Sequence, residues 1–194
     1  RRQSLVSAKI YIEGGGEGSA LHSAFRSAWA DFFKKAGITN RPRVIRGGGR
    51  STTWRDFLAA EGNKADADVV LLLVDSEEVP TQGKTVWAHL AEREADRWQR
   101  PNTARDDAAH LMTVCMETWF LADPAALKAK YGNKFNAGAL TAWPDLEKVP
   151  KTTVDATLDE ATSKRYKKGE QSFELLGMLD PAKVEEKCAS EGRL

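Results

Sequence analysis

The sequence predicts an α/β fold: a Rossmann-like sheet of about four mostly parallel strands flanked by helices, followed by a helical C-terminal portion. Three observations predict it. The run Val69-Val70-Leu71-Leu72-Leu73-Val74 shows no polar alternation, as expected of a central parallel strand covered by helices on both faces. Short apolar runs alternate with segments of helical period up to Asp123, the βαβα order of a parallel sheet. Beyond Asp123 no strand pattern returns. With 194 residues the chain is long enough to bury a sizeable core. It divides into an α/β core over residues 8–122 and a helical extension over residues 123–194 packed on it.

The elements follow in order. Ala8 to Glu13 reads as the first strand. From Ser19 to Lys35, Leu21, Phe25, Ala28, Trp29 and Phe32 recur at helical spacing, and Gly37 stops the helix. Arg43-Val44-Ile45-Arg46 is a short second strand. Gly47-Gly48-Gly49-Arg50-Ser51 then leads into a helix over Thr52 to Ala60, with Ser51 or Thr52 as its cap. Val69 to Val74 is the third strand, Thr85 to Trp98 a charged helix, and His110 to Cys115 a fourth apolar segment. Pro124 to Tyr131, Asp155 to Lys168 and Glu170 to Met178 read as helices. Asp180-Pro181 supplies the cap and first position of a last one.

Charge says little about partners, since 29 basic residues nearly balance 28 acidic ones. Cys115 and Cys188 are too few and too far apart for a zinc site, and Cys115 lies in the apolar context of a buried structural thiol. There is no signal-peptide pattern, and no apolar run approaches the ~20 residues of a membrane span. A cytoplasmic protein without membrane partners is the expectation.

The chemistry concentrates in two acidic loops, each following an apolar strand. Ile10-Tyr11-Ile12 runs into Glu13-Gly14-Gly15-Gly16-Glu17, and Val69 to Val74 runs into Asp75-Ser76-Glu77-Glu78. Ligands of open parallel sheets bind beyond the carboxyl ends of the strands. Carboxylates there, beside glycines that keep side chains out of the way, suit a hard divalent cation such as magnesium. Glu13 and Glu17 flank three glycines and can both reach one ion. Asp75 and Glu77, two apart, place their side chains on one side. Taken singly, each pair is also what a solvated or helix-capping turn looks like. Their joint position at two strand ends points to a metal. The loop Arg46-Gly47-Gly48-Gly49-Arg50-Ser51 precedes a helix, so Arg46, Arg50, Ser51 and the backbone at Gly48 are candidates for holding a nucleic-acid phosphate. A plain surface loop is the alternative.

Glu-Gly-x-x-Glu after a first strand, Asp-x-Glu after a later one, a further Glu and a downstream Lys resemble the TOPRIM domain of overcoming-lysogenization-defect nucleases. The contexts Ile-Glu-Gly-Gly-Gly-Glu, Leu-Val-Asp-Ser-Glu and Met-Glu-Thr-Trp-Phe-Leu-Ala-Asp are similar to small stand-alone TOPRIM-like proteins of bacterial defence operons, long described only as a domain of unknown function. The resemblance covers roughly Lys9 to Asp123, with a weaker extension into the run Ser163 to Lys168. It implies metal ligands at Glu13, Glu17, Asp75 and Glu77, a further acid at Glu117, and a basic residue at Lys164 or Lys167 near the scissile phosphate. Glu77 departs from the commoner Asp-x-Asp. The resemblance further implies Mg2+ or Mn2+ as cofactor, DNA or RNA as substrate, and an AAA- or ABC-type ATPase partner in anti-phage defence. A homo-oligomer is compatible with it.

The function expected is therefore a metal-dependent phosphodiester hydrolase. Its first rival is a non-catalytic TOPRIM-like subunit that binds metal, nucleic acid or the ATPase. A small-molecule phosphatase ranks third, because an aspartyl-phosphate enzyme needs Asp-x-Asp after the first strand and this chain has Glu-Gly there. Gly83-Lys84-Thr85 imitates the end of a P-loop, but Glu78 stands where its first glycine belongs. His22, His89 and His110 have no partner at ligand spacing and read as surface or core residues. Glu117 fits equally the first turn of a helix. Trp54, Trp119 and Trp143 read as core or interface residues.

Overall fold

Four short strand segments satisfy their backbone groups by lying side by side. The computed structural model, which describes residues 7–15 and 19–188, joins β1 (Ala8–Ile12), β2 (Arg43–Arg46), β3 (Val69–Asp75) and β4 (Ala109–Met112) into one sheet. The order is β2-β1-β3-β4 and every neighbouring pair is parallel. The chain moves from β1 to one side for β2, then back across β1 to β3 and on to β4. The order thus reverses between β1 and β3, and a crevice opens at their carboxyl ends.

Side-chain alternation along the strands sorts the core into two layers. Ile10, Ile12, Leu73 and Met112 face α1 (Ser19–Lys35) and α4 (Met116–Ala122). Tyr11, Leu72, Val74 and Leu111 face α2 (Arg50–Gly62) and α3 (Val86–Glu92). The C-terminal portion contributes α5 (Pro124–Tyr131), three single 3-10 turns, α6 (Lys151–Ala161), α7 (Glu170–Met178) and α8 (Pro181–Lys187). It shares the first layer: α7 packs along α1, with Phe173 edge-on to Phe25 at 5.1 Å between ring centroids. Trp29, at the centre of that layer, touches Phe33 and Trp119 as well. Lys35, in the last turn of α1, donates to the carbonyls of Gly177 (2.6 Å) and Leu179 (3.1 Å), satisfying acceptors at the end of α7. Asp123 caps α5 through the Ala126 N–H, accepts from the Asp180 N–H at 3.0 Å, and receives Lys183 of α8 at 2.6 Å. Burial works against its charge, but Lys183 and these N–H groups outweigh that and hold its carboxyl below the usual range.

The strands, α1, α5, α7 and the Asp180-Pro181 cap follow the sequence reading, and three helices depart from it. The cap of α2 is Gly49, not Ser51 or Thr52, so Arg50 is already its first helical residue. The preceding turn lets the helix start early: Gly48 has φ +74°, and Gly47 sits so close to Thr53 that a Cβ there would lie 2.2 Å from the Thr53 hydroxyl. The helix expected to Trp98 ends at Glu92, because Arg93 is extended and Arg97 adopts φ +51°. Pro150 caps α6, which begins at Lys151 and closes at Ala161, where Thr162 and the left-handed Ser163 and Lys164 break it. The run Ser163 to Lys168 is accordingly not helical.

Among the described residues no helix is long and apolar enough to cross a membrane. Phe173→Ala should cost about 3–5 kcal/mol, and urea unfolding of the wild type followed by fluorescence and by circular dichroism should give one coincident transition. A separate early transition for the helical signal would mean that the C-terminal helices do not share the core.

Candidate metal centre

Register brings the acids together before any side chain is considered. Ile12 pairs with Leu73, and the Glu13 N–H continues the ladder to the Leu73 carbonyl at 3.0 Å. Glu13 therefore stands at the mouth of β1 beside Asp75, the last residue of β3, whose N–H donates to Glu13 Oε2 at 3.3 Å. The next turn is fixed by its backbone: the Ser76 and Glu77 N–H groups donate to the carbonyls of Met112 and Val114, and the Ser76 hydroxyl to the carbonyl of Glu78. Buried His89 contacts the Ser76 carbonyl through Nε2 at 2.9 Å. Glu77 adopts φ +65°, a left-handed conformation that costs a non-glycine residue about 1 kcal/mol. The turn closes a cluster in which carboxylate oxygens of Glu13, Asp75 and Glu77 lie within 4.8 Å of one another. It sits at the crevice between β1 and β3.

Like charges at this spacing repel, and the fold answers them from three helix starts. Arg50, first in α2, donates to Glu13 Oε2 at 3.0 Å and to the Asp75 carbonyl at 2.6 Å. The same guanidinium pairs with both oxygens of Asp96 and lies 4.9 Å over the ring of Trp98. Lys151, first in α6, reaches Glu77 Oε2 at 2.5 Å and lies 3.8 Å from Asp75 Oδ2. The Met116 N–H, first in α4, donates to Asp75 Oδ1 at 3.0 Å. Even so, burial pushes the Asp75 carboxyl well above the ordinary range, reinforced by Glu13 and Glu117 and opposed by Lys151. Burial raises Glu13 too, with Arg50 opposing and Glu77 adding to the shift. Lys151 is moved the other way: burial disfavours its charge, but its bond to Glu77 and the field of Asp75 keep it more basic than usual.

The remaining candidates are placed as follows. Glu117 lies outside the group of three. It is buried at the start of α4, accepts from the Tyr166 hydroxyl at 2.8 Å and has Lys168 at 3.4 Å. It acts on Asp75 through its charge. Glu17 falls outside the described residues. Lys164 and Lys167 are exposed in a non-helical segment and make no ion pair with the cluster among the described residues; the cations there are Arg50, Lys151 and, at Glu117, Lys168. In the glycine loop, Arg50 is committed to carboxylates. Arg46 donates to the Gly15 carbonyl at 3.1 Å and to His22. The carbonyl of Gly48 accepts from the Gly14 N–H, and Ser51 is exposed in the first turn of α2. Arg50 thus serves the acidic centre and not a free phosphate loop. Cys115 is fully buried, and burial pushes its thiol pKa up.

Sequence reasoning missed Lys151, Asp96, Tyr166 and Lys168. One signal was present: Pro150 followed by Lys151 marks a helix start, and a cation there opposes the helix dipole unless acids face it. The donor set fits a hard divalent ion, being three carboxylates without sulfur or imidazole. It is also the one such group of three among the described residues.

Residues 12–194 match the family described as "Domain of unknown function (DUF4276)", and the chain belongs to that family. No curated protein and no solved structure matches.

The raised carboxyls carry a stability consequence. Between the ordinary carboxylate pKa and the raised one, the unfolded chain has lost the Asp75 proton while the folded chain still holds it. Stability therefore falls as pH rises through that window. In chelator, thermal melts from about pH 4 to pH 8 should show Asp75→Asn gaining on the wild type as pH rises, and magnesium or manganese should close the gap by stabilising the wild type. A gap that narrows with pH in chelator would refute the desolvation argument.

Proposed function

We propose that this member of the family is a TOPRIM-type nuclease that cleaves phosphodiester bonds in DNA or RNA with magnesium or manganese as cofactor. The observation that carries the reading is the convergence of Glu13, Asp75 and Glu77 at the crevice between two parallel strands, with carboxylate oxygens within 4.8 Å. Carboxylates of this type at a strand end are what phosphoryl chemistry requires to gather cations around a polyanion. Glu13, Asp75 and Glu77 would hold the ion. When bound, it would supply Lewis-acid stabilisation of a phosphoryl oxygen and lower the pKa of a water.

The chain's own residues take the other roles. Arg50 orients Glu13 and is itself held by its fork to Asp96, which Arg93 also pairs. Lys151 is the cation nearest the group, and in this reading it neutralises charge that develops on the phosphoryl group. Met116, through its N–H, fixes the Asp75 carboxylate. A role in bacterial defence and an ATPase partner rest on the sequence resemblance alone.

The 2.5 Å pair of Lys151 and Glu77 also favours a second reading. In it, Lys151 and Arg50 take the place of a metal, and the centre is a structural ion-pair network of a non-catalytic subunit. The two readings separate on one panel: plasmid, single-stranded DNA and total RNA with magnesium or manganese, alone and with the neighbouring ATPase. A nuclease should lose at least about 10²-fold in rate in Glu13→Gln, Asp75→Asn and Lys151→Ala alike, with their folds retained by circular dichroism. Tighter manganese binding by Lys151→Ala in calorimetry, with no cleavage by any form, would overturn the nuclease in favour of the ion-pair network.

A further inference from the structure

β2 is an edge strand, bonded to β1 and to no other strand of the sheet. Between it and α1 runs a groove of about 480 Å³ lined by Arg26, Arg41, Arg43, Arg46 and His22, with no acidic residue among its lining residues. His22, Arg26 and Ala30 are spaced i, i+4, i+8 and form one stripe along α1. β2 runs beside it for about 10 Å; Arg46 turns with Val44 toward α1, while Arg43, on the face of its register partner Lys9, borders the groove at its outer end. In a chain whose charges otherwise nearly cancel, this is a concentration of guanidinium groups on one track. The track has a direction. Arg46, at its inner end, donates to the carbonyls of Gly14 and Gly15, the residues that follow Glu13, so the groove ends at the loop leaving the acidic centre.

We infer that this groove carries the sugar-phosphate backbone of a polynucleotide strand and delivers it to the carboxylates. The inference rests on the nuclease reading for what happens at the inner end, but not for binding. Guanidinium groups present paired N–H donors that match phosphate oxygens, and a row of them at a strand edge tracks a backbone without reading bases. Arg26 and Arg43 are exposed and stand away from the acidic centre, which gives them no electrostatic reason to be there on its account. An acidic peptide added to the β2 edge would use the open backbone groups of the strand, and it is one outcome of the test below.

The test reads binding, not cutting. In the Glu13→Gln background, fluorescence anisotropy is measured with short fluorescein-labelled single-stranded DNA and RNA of one sequence, over a salt series, in chelator. Arg26→Glu with Arg43→Glu should weaken binding at least about tenfold and flatten the slope of log affinity against log salt by about 1.4, the share of two phosphate contacts. Lys34→Glu with Lys128→Glu makes the same change in net charge at exposed positions outside the groove and should leave the slope unchanged. Equal binding by the two double variants overturns the proposal. So does a polyglutamate peptide that binds as tightly as the oligonucleotides and is lost with Arg26 and Arg43. If binding depends on Arg26 and Arg43 while the wild type cuts nothing, the groove stands and the carboxylate reading fails. If the wild type cuts and the groove variant binds and cuts like its control, the groove fails and the carboxylate reading stands.

Discussion

Three carboxylates held together at the ends of two adjacent parallel strands repel one another, and much of the surrounding structure is arranged around that repulsion. The pairing of Ile12 with Leu73 gives Glu13 and Asp75 no choice but to be neighbours. Exposed, such charges would be screened by water and salt. Half-buried, they need fixed partners. Those partners come from helix starts: the guanidinium of Arg50, the ammonium of Lys151 and the N–H of Met116. Each of these helices begins with its positive end toward the acids, so backbone dipoles and side-chain charges act in the same direction. Arg50 is itself held by Asp96 and by the face of Trp98, which in turn stacks on Trp54 at 4.7 Å. The aromatic layer on one face of the sheet thereby fixes the electrostatics at its end.

The centre also ties the two parts of the chain together. Glu13, Asp75 and Glu77 belong to the α/β core, while Lys151, Tyr166 and Lys168 come from the C-terminal portion. Phe173 against Phe25 joins the same parts through apolar packing. The helical portion is therefore not an ornament on a finished sheet. It completes the core layer under α1 and supplies Lys151 and Lys168 to the acids at the sheet's end.

Much of this was legible in the sequence, because strands and amphipathic helices write themselves in local period. Val69 to Val74 had no solvent face, and Leu21 to Phe32 repeated at helical spacing. Glu13, Asp75 and Glu77 were legible because a strand end followed by glycine or serine leaves an acid few places to go. What was not legible depends on contacts across the chain. Nothing near Arg50 says that it will turn toward Glu13 and Asp96 and not toward a phosphate. The extent of α3 was set by Asp96 and Trp98 finding distant partners, and the β-branched Thr152 and Thr153 disguised the start of α6. Lys164 and Lys167 looked like a helical face because the left-handed backbone at Ser163 and Lys164 is a local choice that serine and lysine seldom make.

The sequence distances within the centre have a consequence for how the molecule comes into being. Glu13 and Asp75 are 62 residues apart, and Lys151 lies a further 74 beyond Glu77. A ribosome therefore makes the repelling acids first and the ammonium group that answers them last. As domains tend to form from the N-terminus during synthesis, the nascent sheet passes through an interval in which Arg50 alone among these cations answers the acids at its carboxyl edge.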